Sequence, residues 1–250
     1  MTQSVLRIFT LSFRNVKEIL REPLSLVFMI LLPLVMQVGF YYLFHNLTSQ
    51  FDMKYLTPAI VVFSQSFLTL FTGTLIATDK NTEFLTRLFV TKARPYEFII
   101  SYVIAVLPIT LIQSIIFFLV GGIIDFSILS VGVIGCVLMS AVTALFFINL
   151  GVLFGSIFGE KAIGGISSIV ISGQSVLSGM WFPVESLQGG FKVAMNVLPF
   201  RNASLLIQNL LNGINDFSKD FLFPFLIVGA YCVVLFFIAI FAFKKKAFLK

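Results

Sequence analysis

The sequence predicts an all-α integral membrane protein with six transmembrane helices, and the distribution of charge is the main reason. The 17 basic and 11 acidic residues of the 250-residue chain leave six long windows with no charge at all. A helix needs about 20 apolar residues to cross the hydrocarbon core, and each window is longer than that. Helices of soluble proteins keep a charged outer face, so a soluble core does not explain the pattern. The uncharged windows are residues 23–51, 55–78, 98–124, 126–159, 162–184 and 221–243.

Composition supports the same fold class. The mean hydropathy is +1.04, only 11% of residues are charged, and 31 residues are Phe. Such a chain is not expected to stay soluble alone, and a transmembrane barrel would show short alternating segments instead of continuous apolar runs. We therefore expect one transmembrane domain over residues 1–250. Its spans are expected near 24–44, 56–78, 98–122, 129–158, 162–182 and 221–243.

The positions of the cations predict the orientation. With six spans both termini lie on one side, and 13 of the 17 Lys and Arg residues fall in segments of that side. The other side has only Lys54, Lys192, Arg201 and Lys219. The positive-inside rule then places both termini in the cytoplasm. We expect a multi-pass protein of the plasma membrane with no nucleic-acid partner, because no soluble basic face exists to bind one.

Residues 4–22 have the pattern of an amphipathic helix. Apolar side chains recur at helical spacing, Arg and Lys occupy the other face, and Pro23 ends the segment just before the first span. An interfacial helix on the inner leaflet explains this pattern, and a simple topology anchor explains it equally well. The apolar positions are Leu6, Phe9, Phe13, Val16 and Leu20.

The segment 79–97, between the second and third spans, also suggests a short amphipathic helix. Phe84 and Leu88 share a helical face, and Glu83 and Arg87 have the i, i+4 spacing of an ion pair. Such a helix facing the cytoplasm is a natural docking surface for a soluble partner. An ordinary basic loop that obeys the positive-inside rule would look similar.

The last segment on the external side, residues 183–220, is half apolar. One stripe contains Phe191, Met195 and Leu198, and a second begins at Ala203 after the break at Pro199. This pattern predicts an external re-entrant helical hairpin before the last span, covered by protein or lining a water-filled cavity. Two surface helices resting on the headgroups are the alternative.

The polar residues inside the spans are amides and hydroxyls. Gln65, Thr69 and Thr72 share a face of the second span, and Gln174 lies in the fifth. Such groups often hold helices together. The ladder Gly151, Gly155 and Gly159 in the fourth span has the small-xxx-small spacing of close helix packing.

The sequence lacks the residue types and motifs that several classes of membrane protein need. No Asp, Glu, Lys, Arg or His lies at the centre of a span, which argues against an ion-coupled carrier. The only histidine, His45, lies at the end of the first span, and the chain has no HExxH motif or Cys/His cluster, so we expect neither a catalytic nor a metal site. No Gly-Lys dipeptide exists, so a Walker A loop is excluded. If transport is driven, another polypeptide must supply the energy.

Two local motifs and the order of segments carry a family resemblance. Glu-Phe-Leu-Thr-Arg-Leu at 83–88 precedes Arg-Pro-Tyr-Glu at 94–97, and Ser-Gly-Met-Trp-Phe-Pro-Val-Glu-Ser at 178–186 precedes Leu-Pro-Phe at 198–200. With the spans around them, these resemble the permease subunit of an ABC-2 type exporter over the whole chain. The family often has Glu or Arg followed by Gly ahead of the first motif, where this chain has Asp79-Lys80-Asn81.

The resemblance implies partners and a mechanism. Two permease copies, identical or related, would pair with two cytoplasmic ABC ATPase subunits, which would bind the ATP and Mg while this chain binds no cofactor. The implied site residues fall into three groups. The ATPase-coupling group is Glu83, Phe84, Arg87, Leu88 and Thr91. The pathway-lining group is Gln65, Thr69, Thr72 and Gln174, and the outer-gate group is Phe182, Pro183 and Glu185.

The function expected from the resemblance is export of an amphipathic or hydrophobic substrate, such as a drug, antibiotic, peptide or lipid, out of the cytoplasm. A permease for lipid-linked polysaccharide shares the fold and is one alternative. A membrane scaffold or sensor that moves nothing is another. The sequence does not identify the cargo, because an uncharged cavity has no ligand code.

Overall fold

The described part of the chain is a bundle of helices. The computed structural model describes residues 2–82 and 94–247. The predicted coupling residues Glu83, Phe84, Arg87, Leu88 and Thr91 lie outside the described residues. The α-helices are α1 (Thr2–Arg21), α2 (Pro23–Phe44), α3 (Met53–Asn81), α4 (Pro95–Ile124), α5 (Gly132–Ile157), α6 (Glu160–Leu177), α7 (Gly190–Val197), α8 (Pro199–Asn212) and α9 (Phe223–Ala247). Shorter helical segments are Ser49–Phe51, Phe126–Ile128, Val184–Ser186 and the π-helical Phe217–Leu222 before α9.

Prolines set several of the helix starts. Pro23, Pro95 and Pro199 each stand in the first turn of a helix, where the missing backbone donor has no intrahelical acceptor in any case. Pro23 therefore separates α1 from α2 without a long loop. The helix α3 continues past the predicted span end at 78 to Asn81, so Asp79 and Lys80 belong to the helix and not to a loop.

Four segments of the described chain are long and apolar enough to cross a membrane. They are Met53–Asn81, Pro95–Ile124, Gly132–Ile157 and Phe217–Phe243. The other two predicted spans coincide with the helices α2 and α6, and α2 contributes a shorter apolar stretch, Met29–Phe44. The all-helical membrane fold is confirmed, whereas the count of six spans stays a prediction.

The helix α3 lies at the centre of the bundle. Most of its residues are buried, and it contacts α2, α4, α5, α6 and α8. Segments 45–55 and 178–220 meet at one end of the bundle, and Gln50 Nε2 there donates to Gly179 O at 2.8 Å. At the other end of the bundle, α1 contacts the end of α3 and the start of α4, and the end of α3 contacts the start of α6. We call this the termini end.

The closest helix packing is between α3 and α5, and glycines permit it. A Cβ added at Gly151 would lie 2.7 Å from Thr69 O, and one added at Gly155 would lie 2.7 Å from Gly73 O. Real side chains do not make contacts this short, so only glycine fits at both positions. The third member of the predicted ladder, Gly159, has open space around its Cβ position. Packing therefore explains two of the three glycines.

The segment between α6 and α9 folds into two amphipathic helices. Met195 of α7 and Leu206 of α8 are buried, and Phe191 is exposed. Asn202 ties the two helices together, because its Nδ2 donates to Asn196 O and Leu198 O, each at 2.8 Å. The depth of this pair in a membrane stays a prediction.

We expect Gly155→Leu to lower the free energy of unfolding by about 1–3 kcal/mol or more, because overpacking displaces the backbones of α3 and α5. Gly159→Leu is the matched control, since the space there is open. Thermal unfolding of the purified proteins in detergent compares the two. Equal melting temperatures for both variants and wild type would contradict the packing interpretation.

Candidate coupling site

The helix α1 packs against the bundle with its polar face. Ser12 and Asn15 are buried, while Phe9 and Phe13 are more than 60% exposed. This orientation is the reverse of a soluble amphipathic helix. An apolar outer face is suited to the acyl and headgroup boundary of a bilayer, so the arrangement agrees with the predicted interfacial helix.

A buried carboxylate anchors α1 to the end of α3. Asp79 is only 2% exposed. Arg14 of α1 meets it with both guanidinium nitrogens, Nη1 donating to Asp79 Oδ2 at 2.8 Å and Nη2 contacting Oδ1. Tyr102 of α4 donates its hydroxyl to the same Oδ2. One carboxylate thus links α1, α3 and α4, and bidentate Arg–carboxylate pairs of this kind are among the stronger hydrogen-bonded contacts.

The charges around Asp79 reinforce the pairing. Burial acts to lower the pKa of Arg14, but the hydrogen bond and the charge of Asp79 outweigh it, so the pKa is raised and the guanidinium stays charged. Glu18 contacts Arg14 from one helical turn away. Burial, together with the repulsion of Asp79, raises the pKa of Glu18, and the attraction of Arg14 opposes this shift.

A second buried carboxylate anchors α1 to the start of α4. Glu97 is fully buried, and its Oε2 accepts a hydrogen bond from the backbone N of Arg94 at 3.3 Å, which caps the first turn of α4. Ser4 of α1 donates to Glu97 Oε1, and Arg7 Nη1 lies 3.6 Å from Oε2. One turn further on, Asn15 Nδ2 donates to Ser101 Oγ at 3.3 Å.

The end of α3 is also tied to α5 and α6. Lys80 Nζ donates to the carbonyl oxygens of Gly155, Ser156 and Phe158 at 2.8, 3.1 and 2.9 Å. These carbonyls end α5, where the helix dipole favours a cation. Asn81 Nδ2 donates to Glu160 Oε2 of α6 at 2.8 Å.

These contacts surround both ends of segment 83–93. The residues just before it, Asp79 to Asn81, are held by α1, α4, α5 and α6, and Glu97 just after it is held by α1. The residues that flank the segment are therefore joined to several helices at once. No group of three or more His, Cys, Asp or Glu side chains in residues 2–82 and 94–247 could hold a metal ion.

A family comparison agrees with this architecture. A profile described as ABC-2 type transporter matches residues 7–211. The chain belongs to the ABC-2 type transporter family. It is a permease subunit of an ABC transporter and not itself a catalyst, and permeases of this family generally work with an ATPase partner. Among proteins with curated descriptions, none matches the chain.

The residues predicted to line the permease pathway lie in helix contacts. Gln65 Nε2 donates to Ser140 O at 2.9 Å and Gln65 Oε1 accepts from Thr143 Oγ1 at 2.8 Å, while Thr69 Oγ1 donates to Phe147 O at 3.1 Å. Thr72 and Gln174 are fully buried, and their side-chain polar atoms have no partner among the described residues. The lining role of all four stays a prediction.

The predicted gate residues follow α6 at the other end of the permease. Phe182 is half-buried and Pro183 is exposed, and Glu185 belongs to the short helical turn Val184–Ser186. The neighbouring Trp181 packs edge-on against Phe40 of α2, with ring centroids 4.8 Å apart. The gating role stays a prediction.

Sequence reasoning missed Asp79, Tyr102 and Glu97 as members of one site. Asp79 looked like a loop residue because the uncharged window ends at 78. The signal that could have found them is positional. Asp79 directly follows one span, Glu97 directly precedes the next, and Arg14 lies on the polar face of α1. That pattern does not show which face of α1 packs on the protein.

We expect Asp79→Asn to lower the free energy of unfolding by about 1–3 kcal/mol, because Arg14 then loses its buried counter-charge. A double-mutant cycle with Arg14→Gln should give a coupling energy of about 1 kcal/mol or more. Asp52→Asn is the control, since the Asp52 side chain makes no capping bond at the start of α3. A coupling energy near zero in thermal unfolding would contradict the Arg14–Asp79 link.

Proposed function

We propose that this permease is the membrane subunit of an ATP-driven exporter that moves an amphipathic or hydrophobic substrate, such as a drug, antibiotic, peptide or lipid, out of the cytoplasm. The observation that carries the proposal is the ABC-2 family match together with the buried contacts at both ends of segment 83–93. Such a segment is suited to receive force from a soluble motor and to pass it to the helices.

The proposed coupling begins at the ATPase. Its cleft holds the apolar face formed by Phe84 and Leu88, with Glu83, Arg87 and Thr91 around it. Closure of the ATPase dimer on ATP and Mg pushes the segment against α3 and α4. Because Lys80 caps α5 and Asn81 bonds to α6, these helices follow. This chain binds no cofactor in the scheme.

A second permease copy completes the proposed transporter. The helix α6 has an exposed face of small residues, and Cβ positions at Gly164 and Gly165 are open. Small residues let transmembrane helices approach closely, which supports α6 as part of the contact between copies. Thr72 and Gln174 have unmet hydrogen-bonding capacity, which water or cargo satisfies when the pathway opens.

The proposed orientation puts both termini in the cytoplasm of a plasma-membrane protein. The termini end then meets the ATPase, and α7 and α8 lie outside. There they form a hairpin that, with Phe182, Pro183 and Glu185, closes the outer end of the pathway. The excess of Lys and Arg in the segments of the termini end supports this orientation.

Thiol labelling tests the orientation. In a variant without native cysteines, we expect Cys at Thr48 or Ser218 to react with an impermeant reagent in intact cells and Cys at Asn81 to be protected. All three positions are exposed in the structure, so burial does not explain a difference. Labelling at Asn81 together with protection at Thr48 and Ser218 would reverse the orientation.

Co-purification tests the coupling segment. We expect Phe84→Asp and Leu88→Asp to abolish capture of the ATPase subunit while the permease still inserts, because burying an unpaired carboxylate in an apolar cleft costs on the order of several kcal/mol. Phe126→Asp is the matched control, since Phe126 is 81% exposed at the other end of the bundle. Normal capture and ATP turnover in both variants would remove segment 83–93 from the interface.

A further inference from the structure

A polar cavity lies at the end of the bundle away from the termini. Its volume is about 520 Å³, and it is bounded by the segment around Gln50 and Tyr55, by the turn at Ser178 and Gly179, and by α8 with the residues that follow it. This volume lies in the range of small-molecule sites. The proposed coupling site is at the opposite end, so the cavity has no part in it.

The amide side chains on the cavity walls use their NH2 groups to hold the walls together. Gln50 Nε2 donates to Gly179 O at 2.8 Å, and Gln208 Nε2 donates to Tyr55 O at 3.2 Å. Asn209 Nδ2 donates to Asp220 O at 2.8 Å, and Asn212 Nδ2 donates to Lys54 O at 3.3 Å. The amide oxygens can accept hydrogen bonds from a ligand, and Gln50, Gln208 and Asn209 each keep a second N–H that can donate, so the cavity offers both acceptors and donors.

The two charged side chains on the walls already have partners. Asp220 Oδ2 accepts hydrogen bonds from the backbone N atoms of Asn215 and Asp216 at 3.1 and 3.0 Å. Arg201 Nη1 donates to Asn196 Oδ1. One basic and one acidic side chain give the walls no net charge, so a ligand does not need a charge of its own.

One wall residue has an unmet hydrogen bond. Ser178 is 5% exposed, lines the cavity, and its hydroxyl has no partner among the described residues. A buried hydroxyl without a partner is unfavourable, and a ligand group that pairs with it removes this cost. The ring of Tyr55 and the side chains of Val184 and Leu205 add apolar wall surface.

We propose that this cavity binds a neutral, hydroxyl-rich ligand of about disaccharide size. Sugar hydroxyls donate to the amide oxygens and accept from Ser178, and the C–H faces of a sugar ring pack on Tyr55 and Leu205. A neutral ligand is expected because the walls carry one basic and one acidic side chain, Arg201 and Asp220. Binding here is separate from the ATPase and from the proposed coupling.

Trp181, next to the cavity wall in sequence, is the fluorescent reporter for the experiment. It is the only tryptophan of the chain and lies two residues after Gly179. The full-length permease is reconstituted in lipid nanodiscs, because alkyl-maltoside detergents contain a competing sugar group. Maltose, sucrose and trehalose are the probes, and glycylglycine and calcium chloride test a zwitterionic and a cationic ligand.

We expect a saturable change in Trp181 fluorescence with at least one disaccharide. Ser178→Ala should weaken its affinity roughly fivefold, the loss of one neutral hydrogen bond, and Ser178→Thr should restore it. Ser186→Ala is the matched control, because its hydroxyl bonds Pro183 O outside the cavity lining. If Ser178→Ala melts at a lower temperature than wild type, Tyr55→Ala is the second variant and should also weaken binding, because it removes the ring that packs on the sugar.

Three outcomes would overturn the proposal. The first is a change that rises linearly with each disaccharide and never saturates. The second is equal disaccharide affinity in wild type, Ser178→Ala and Tyr55→Ala. The third is saturation with glycylglycine or calcium but with no disaccharide, which would assign the cavity to a charged ligand.

Discussion

The close contact between α3 and α5 is the constraint on which the rest of the permease depends. Gly151 and Gly155 bring the two backbones so near that a single methyl group would collide with Thr69 O or Gly73 O. In a membrane the hydrophobic effect does not drive helices together, so packing and interhelical hydrogen bonds must do so. The bonds of Gln65 and Thr69 to α5 follow from the same approach.

This contact also sets the position of the charged site. With α3 against α5, the side chain of Lys80 reaches the carbonyls that end α5. One residue earlier, Asp79 faces Arg14 and Tyr102. A charged group at the end of a span is expensive to bury unless it is paired. Here each of the two charges has partners on a different helix, and the same pairs join four elements of the bundle.

The orientation of α1 connects both ends of segment 83–93 to an exposed apolar face. Its buried polar face holds the end of α3 and the start of α4, and its exposed Phe and Leu side chains are free to contact lipid. The residues at both ends of segment 83–93 are thus joined through α1 to its exposed apolar face and through α3 to the core. At the other end, α8 and the turn at Gly179 enclose a polar cavity with its own walls, so the two ends of the molecule have separate chemistry.

The sequence by itself determined the helical membrane fold, the family and the amphipathic stripes, because these depend on local spacing and on the exclusion of charge from long windows. It predicted the glycine ladder, but only the tertiary structure separated Gly151 and Gly155, which pack against α3, from Gly159, where a side chain has open space. It also could not decide that Asp79 continues a helix and meets Arg14, 65 residues away. Ion pairs and cavities bring together distant parts of the chain, and periodicity contains no information about which helix faces which.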